Sequence, residues 1–227
     1  MRRLPDESKI SRFQHLLEKP ALDEPILATI NVLWHRYGLM LKTGTMMDAT
    51  LISEPNSTKN DSSERDPGMH QTKKTNTRHF GMKARIGMDA ESGLVHTVIC
   101  TAANVNDVMQ GHALLHGKEQ GAFGNSGYRG VMKRPEATGV KSTVAMRPGE
   151  RGASDKMRRS RQLFDKLKQL KASIRAKVKH LFRMIKRQFE FTKVRYRTLV
   201  KNAAQIRKFF ALSNPWIVRR QLTVMMG

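Results

Sequence analysis

The 227-residue sequence predicts an α/β fold, a mixed five-stranded sheet flanked by helices. Two observations carry that prediction. Short runs rich in apolar and β-branched residues recur at residues 45–53, 80–89, 94–101, 121–125 and 140–146. Segments with helical spacing lie before, between and after them. The order is strand, hairpin of two strands, helix, strand, helix, strand and long helix. With 39% hydrophobic residues, a chain of this length has enough apolar surface to bury a core.

The elements follow in order. Residues 6–19 place Ile10, Phe13, Leu16 and Leu17 on one helical face. After Pro20 and Pro25, residues 26–37 repeat that spacing with Ile26, Ile30, Leu33, Trp34 and Tyr37, so the N-terminal segment reads as a helical pair. Residues 45–53 read as the first strand. Residues 54–78 are polar with almost no apolar positions and read as a long loop. The strands at 80–89 and 94–101 are joined by Ala90-Glu91-Ser92-Gly93, a hairpin signal. Residues 106–116 suit a helix, 121–125 a short strand, 128–137 a short helix, and Val140 to Met146 a fifth strand. From Ala153 to Asn214 there is neither Gly nor Pro. Leu163, Leu167, Leu170, Ile174, Val178, Leu181, Ile185 and Phe189 step by three or four, which predicts a long amphipathic helix. A second helix is expected from Leu199 to about Leu222, with Pro215 a point of break or kink.

Charge limits the partners. The formal net charge is +23, which concerns association rather than fold. Residues 151–220 hold 22 Lys and Arg against Asp155, Asp165 and Glu190, a surplus of 19, while the first 150 residues are nearly balanced. Nucleic acid is the leading polyanion, with a ribosome or an anionic membrane surface as the plainer alternatives. The single cysteine, Cys100, excludes an internal disulfide and a Cys-based zinc site, and fits a reducing, cytoplasmic setting. No apolar run is long enough for a transmembrane helix, and the basic start Met1-Arg2-Arg3 has no apolar segment behind it.

Four stretches carry chemistry-bearing residues in a recognisable order. They are Gly44-Thr45-Met46-Met47-Asp48-Ala49-Thr50-Leu51-Ile52, then Arg65-Asp66-Pro67-Gly68-Met69-His70-Gln71-Thr72-Lys73-Lys74. Next comes His79-Phe80-Gly81-Met82-Lys83-Ala84, leading into Gly87-Met88-Asp89-Ala90, and last Ile185-Lys186-Arg187-Gln188-Phe189, leading into Leu199-Val200-Lys201-Asn202. Together they resemble the DDE transposases of bacterial insertion sequences, the insertion sequence five family, over nearly the whole chain. The resemblance implies a ribonuclease H-like sheet with an N-terminal helical segment and long basic C-terminal helices. It divides the chain into residues 1–40, the remnant of a DNA-binding region in an N-terminally truncated copy, and residues 41–227, the DDE domain with its basic helical part.

The family's three carboxylates hold two divalent ions, normally Mg²⁺, for in-line attack on a phosphodiester. The first maps onto Asp48, which is therefore the one expected metal ligand. The second belongs where this chain has Asn125-Ser126-Gly127-Tyr128, and the third where it has Lys179-His180-Leu181-Phe182-Arg183. Both acids are lost. Arg175 and Lys186 match the helix signature around Lys179, with Ala172 in place of its tyrosine. An ammonium offers no lone pair, and against a dication about 4 Å away it is repelled by roughly 8 kcal/mol at an effective dielectric near 20. Asp89 and Asp107 stand in family-like surroundings but outside the triad, and Glu190 lies about 16 Å along the helix from Lys179, too far to substitute.

The resemblance thus implies a nuclease and strand transferase whose copy here is degenerate and binds Mg²⁺ unproductively. Asp-to-Asn and Glu-to-Lys are single G-to-A changes, as is Val-to-Met, and Met46, Met47, Met88 and Met184 stand where the family usually has valine. The expected partners are DNA, at the element's ends, and further transposase copies as homo- or hetero-oligomer, with no membrane. DNA contacts are expected from Arg175, Arg183, Lys186, Arg187, Lys193, Arg195 and Arg197, in the cytoplasm at the nucleoid. The alternative reading is a non-enzymatic DNA-binding protein that interferes with intact transposase copies.

Overall fold

The strand read from residue 45 sits in the middle of the sheet. In the computed structural model, which describes residues 6–18, 22–41, 43–55, 64–74, 76–133, 142–144 and 161–226, β1 (Gly44–Ser53) pairs on both edges. β3 (Thr77–Asp89) lies antiparallel to it on one side, in register Asp48↔Ile86. β5 (Gly121–Gly124) lies parallel on the other, in register Met47↔Gly124, and β6 (Ser142–Val144) continues that parallel half. β4 (Val95–Ala102) pairs antiparallel with the outer edge of β3. The order β4-β3-β1-β5-β6 is that of the ribonuclease H-like fold, so the expected mixed α/β sheet is present.

A sixth strand corrects the reading of residues 54–78 as loop. β2 (His70–Lys74) forms a hairpin with the first residues of β3, in register Lys74↔Thr77 to His70↔Gly81. Its side chains are mostly exposed, so no apolar alternation announces it. Gly81 makes the close approach possible. A Cβ there would lie 2.3 Å from the Ile52 carbonyl oxygen, at a φ of +154°.

Helices cover both faces. Successive β1 side chains point to opposite sides. Met46 and Ile52 join a core with Ile174, Val178 and Leu181 of α4 (Arg161–Arg183) and Ile206 and Phe210 of α5 (Leu199–Met226). Met47 joins a smaller core with Leu114, Ala122, Tyr128 and Val131. Each such apolar side chain contributes roughly 1.5–3 kcal/mol. Met46, Met47, Met88 and Met184 are all buried, so they fill core rather than a binding surface.

At the N-terminus, α1 (Glu7–Glu18) has the predicted span, but Ile10, Phe13 and Leu16 are exposed. α2 (Asp23–Arg36) is packed, with Leu27 and Trp34 buried and Asp23 held by Arg207 of α5 at 2.6 Å. Three further expectations are corrected. The helix expected over 106–116 is only α3 (Asp107–Gln110) with one tight turn, His112–Leu114, after it, and Leu115 is already extended. In place of a helix from 128, tight turns span Ser126–Tyr128 and Val131–Lys133, and residues 134–137 lie outside the described residues. Pro215 neither breaks nor ends α5. The predicted long helix carrying Leu163 to Phe189 is described as α4 from Arg161 and closes on a wide π-turn, Met184–Gln188. Of the fifth strand predicted from Val140 to Met146, Ser142–Val144 are described. Among the described residues no helix is long and apolar enough to cross a membrane.

Candidate active site at the open edge of the central strand

β5 ends at Gly124, beside Met47, so β1 continues beyond its parallel neighbour with one edge open. That topology sets the next residues on the two strands, Asp48 and Asn125, against each other. The Asn125 amide Nδ2 donates to Asp48 Oδ1 at 2.6 Å. The same carboxylate oxygen accepts the backbone N–H of Ala49 at 2.8 Å. The carbonyl oxygen of Asn125 is turned the other way and accepts the Gly127 N–H at 2.8 Å. Gly127 is needed there, since a Cβ would lie 2.9 Å from that oxygen and 3.1 Å from Asp107 Oδ2.

Asp107 is a site residue that sequence reasoning set aside. It opens α3 beneath the sheet and accepts from Arg85 Nε at 3.0 Å and from Lys83 Nζ at 3.3 Å. The Arg85 side chain is fully buried and also donates to Thr101 Oγ1, at 2.6 Å, and to the Val105 carbonyl. A signal was present in the sequence. Lys83 and Arg85 alternate within the otherwise apolar stretch 80–88 of β3, and a buried cation requires an acidic partner. Asp89, by contrast, is a turn former whose carboxylate accepts the backbone N–H and hydroxyl of Ser92.

The helix residues separate in space. Arg175 is half-buried and its charge acts on Asp48. Lys179 is exposed and is not among the charges that act on Asp48. Lys186, on the π-turn, donates to the free Leu51 carbonyl on the open edge of β1 at 3.1 Å. Arg183 and Arg187 line a cleft with Thr50 and Phe182. Beyond the helix, Lys193 bridges to Ser53 and so runs along β1, while Arg195 donates to the Glu190 carbonyl at 2.9 Å. Lys193, Arg195 and Arg197 are all exposed.

Burial raises the Asp48 carboxyl above its ordinary value of 3.8, against the lowering effects of the Ala49 N–H, the Asn125 amide and Arg175. The fold therefore holds that proton more tightly than the unfolded chain does, and stability is lost as pH rises through the raised value. Asp48→Asn, which keeps an acceptor for both donors, is expected to melt at a higher temperature than the parent at pH 7. The gain should fade as pH falls and vanish below 3.8. Thermal melts across that range check this, and a gain independent of pH would contradict it.

Mg²⁺ requires hard oxygen donors. The residues here do not supply the set that two ions need. Asp48 is one carboxylate, Asn125 presents an NH₂ group to it, and the ammonium of Lys179 has no lone pair. Asp107 Oδ1 is already engaged by Arg85 and Lys83. Among the described residues no group of three or more His, Cys, Asp or Glu side chains is placed to hold a metal ion.

The family model described as "Transposase DDE domain" matches residues 40–214 of this sequence, a span that includes the whole sheet, Asp48, Asn125 and Lys179.

Proposed function

Because the chain belongs to the transposase DDE domain family, we propose that it is a DNA-binding transposase copy, of the insertion sequence five type, that has lost cleavage and strand transfer. The observation that carries this reading is the Asn125–Asp48 hydrogen bond. Where a second carboxylate would share a cation with Asp48, an amide N–H donates a hydrogen bond to it instead. With Lys179 in the third position, the three residues carry a summed charge of zero rather than −3. Asp48 remains as an expected ligand without the partners that hold Mg²⁺ productively.

DNA binding outlives this loss because it rests on different residues. Arg175, Arg183, Lys186, Arg187, Lys193, Arg195 and Arg197 lie on α4, the π-turn and the segment after it, within the strongly basic last third of the chain. Such contacts position the duplex without reading bases. The element's ends are the expected target, with the helical segment of residues 1–40 taking part in binding them, in the cytoplasm at the nucleoid. The retained basic surface also favours a second role, interference with intact copies by occupying their DNA or pairing with them.

Both halves are tested with the full chain and a duplex carrying the element's ends. Binding is expected at low salt and should weaken linearly in log–log form as salt rises. No nicking is expected with Mg²⁺ or Mn²⁺. Cleavage that disappears in Asp48→Ala would overturn the claim of lost catalysis, and absence of binding at low salt would overturn the claim of DNA association.

A further inference from the structure

The β2–β3 hairpin brings a second set of cations to the site, from a part of the chain outside the basic C-terminal third. A cavity of about 250 Å³ beside Asn125 is lined by Thr50 and Leu51 of β1, by Thr72, Lys73 and Lys74 of β2, and by Lys83. Thr50 is also a wall of the cleft lined by Arg183, Lys186 and Arg187. The two cavities therefore adjoin across one side chain. Lys73 and Lys74 come from one side, and Arg183, Lys186 and Arg187 from the other.

The charges in this double cleft are unbalanced. Asp107 is the acid at its edge, and it is already paired with Arg85 and Lys83. Among the described residues, none of Lys73, Lys74, Arg183 and Arg187 has an acidic partner within 4 Å. Lys186 is held in place by the Leu51 carbonyl, and its ammonium is shifted below its ordinary pKa, first by burial and then by the charge of Lys74. Two lysines distant in sequence are thus close enough to repel. Gathering like charges is unfavourable until a polyanion relieves it. The hairpin is also firmly seated, since Gly81 lets it lie against the β1 backbone with no room for a Cβ.

We propose that Lys73 and Lys74 form the second wall of a phosphate-binding cleft, opposite Lys186 and Arg187, which holds the backbone of a DNA duplex across the open edge of β1 at Thr50. This deepens the DNA-binding reading and rests on it. Lysine suits the role because it binds phosphate as a point charge, without a fixed orientation. The ligand class is the phosphodiester backbone, so the contribution is independent of base sequence.

The test is a salt titration of duplex binding by the full chain, read by fluorescence anisotropy on two duplexes of unrelated sequence. Lys73→Ala/Lys74→Ala is compared with Arg36→Ala/Lys118→Ala, which removes the same charge from exposed sites outside the cleft. Each phosphate contact contributes about 0.9 to the slope of log binding constant against log salt. The first pair is expected to lower that slope by about 2 relative to the second, equally on both duplexes. Lys73→Arg/Lys74→Arg should keep the parental slope. If the parent binds with a steep slope and the two alanine pairs behave alike, the cleft is wrong while DNA binding stands. If the parent binds no duplex at low salt, the DNA reading and this inference fall together.

Discussion

Changing Asn125 to aspartate and Lys179 to glutamate together is expected to give the chain a divalent-cation site that it lacks. The parent should show no change in melting temperature on addition of Mg²⁺ or Mn²⁺. The double variant should melt higher, by on the order of 5–10 °C at a metal concentration about 100 times the dissociation constant. The singles should not add up to that result. Asn125→Asp alone removes the donor that Asp48 accepts at 2.6 Å and sets a carboxylate against it. Two such groups cannot both ionise without a cation, so this variant should lose stability in metal-free buffer. Lys179→Glu alone changes an exposed residue on α4 and should do little. Only together do they restore three acids, with Arg175 one turn away. Metal-free stability below the parent, followed by recovery above it on metal addition, is the expected pattern for the double variant. A folded double variant indifferent to Mn²⁺ would mean that the loss lies in the backbone frame and not in the two side chains.

How far the sequence reached depended on what kind of force set each feature. The five principal strands were legible because their burial selects runs of apolar and β-branched residues, as in β1, where Thr45, Met46, Met47, Thr50 and Ile52 are all buried. β2 was not, because His70, Gln71, Thr72, Lys73 and Lys74 bury little and owe their strand to pairing with β3. The end of the long helix near Phe189 was legible, but what holds the chain out of a helix until Leu199 was not, for a related reason. Residues 189–198 contain no Gly or Pro, yet they leave the helix. Buried Asn202 accepts the N–H groups of Arg195 and Tyr196 and donates to the carbonyls of Tyr196 and Thr198. Asp66, more than a hundred residues earlier, accepts the Thr198 N–H at 2.7 Å. Partners so distant leave no local period in the sequence.

The site divides in the same way. Asp48 and Asn125 were legible through motifs, and strand pairing brings them together. Lys179 was assigned through the resemblance of Lys179-His180-Leu181-Phe182-Arg183 to the family's helix motif, but among Arg175, Lys179 and Lys186 it is Arg175 whose charge acts on Asp48. Asp107 was placed outside the triad and its part in the site went unread, because that part comes from a buried partner on another strand.

That partner should prove the most sensitive polar residue in the fold. Arg85→Met is expected to cost about 3–5 kcal/mol, read as a lowered urea midpoint with little change in slope. The side chain has no exposure, and its bonds to Asp107, Thr101 and the Val105 carbonyl all disappear at once. Asp107→Asn keeps an oxygen to accept from Arg85 Nε but leaves the fully buried guanidinium without its counter-charge, so it should cost a comparable amount. The two effects should couple. Once Arg85 is methionine, removing the carboxylate as well leaves only the partly exposed Lys83 ammonium, which keeps the Val105 carbonyl, so Arg85→Met/Asp107→Leu should be more stable than the sum of its singles. The consequences extend to the candidate site, because α3 packs against the turn Ser126–Tyr128 and Asp107 Oδ2 lies beside Gly127. Loosening Arg85 should therefore also loosen the Asn125 amide, which that turn holds through Gly127 N–H. Amide hydrogen exchange at Gly127 separates the two effects: faster exchange in Arg85→Met under conditions where the chain stays folded ties the buried ion pair to the geometry of Asn125 and Asp48. An urea midpoint close to that of the parent would instead mean that water or a shifted Lys83 replaces the guanidinium.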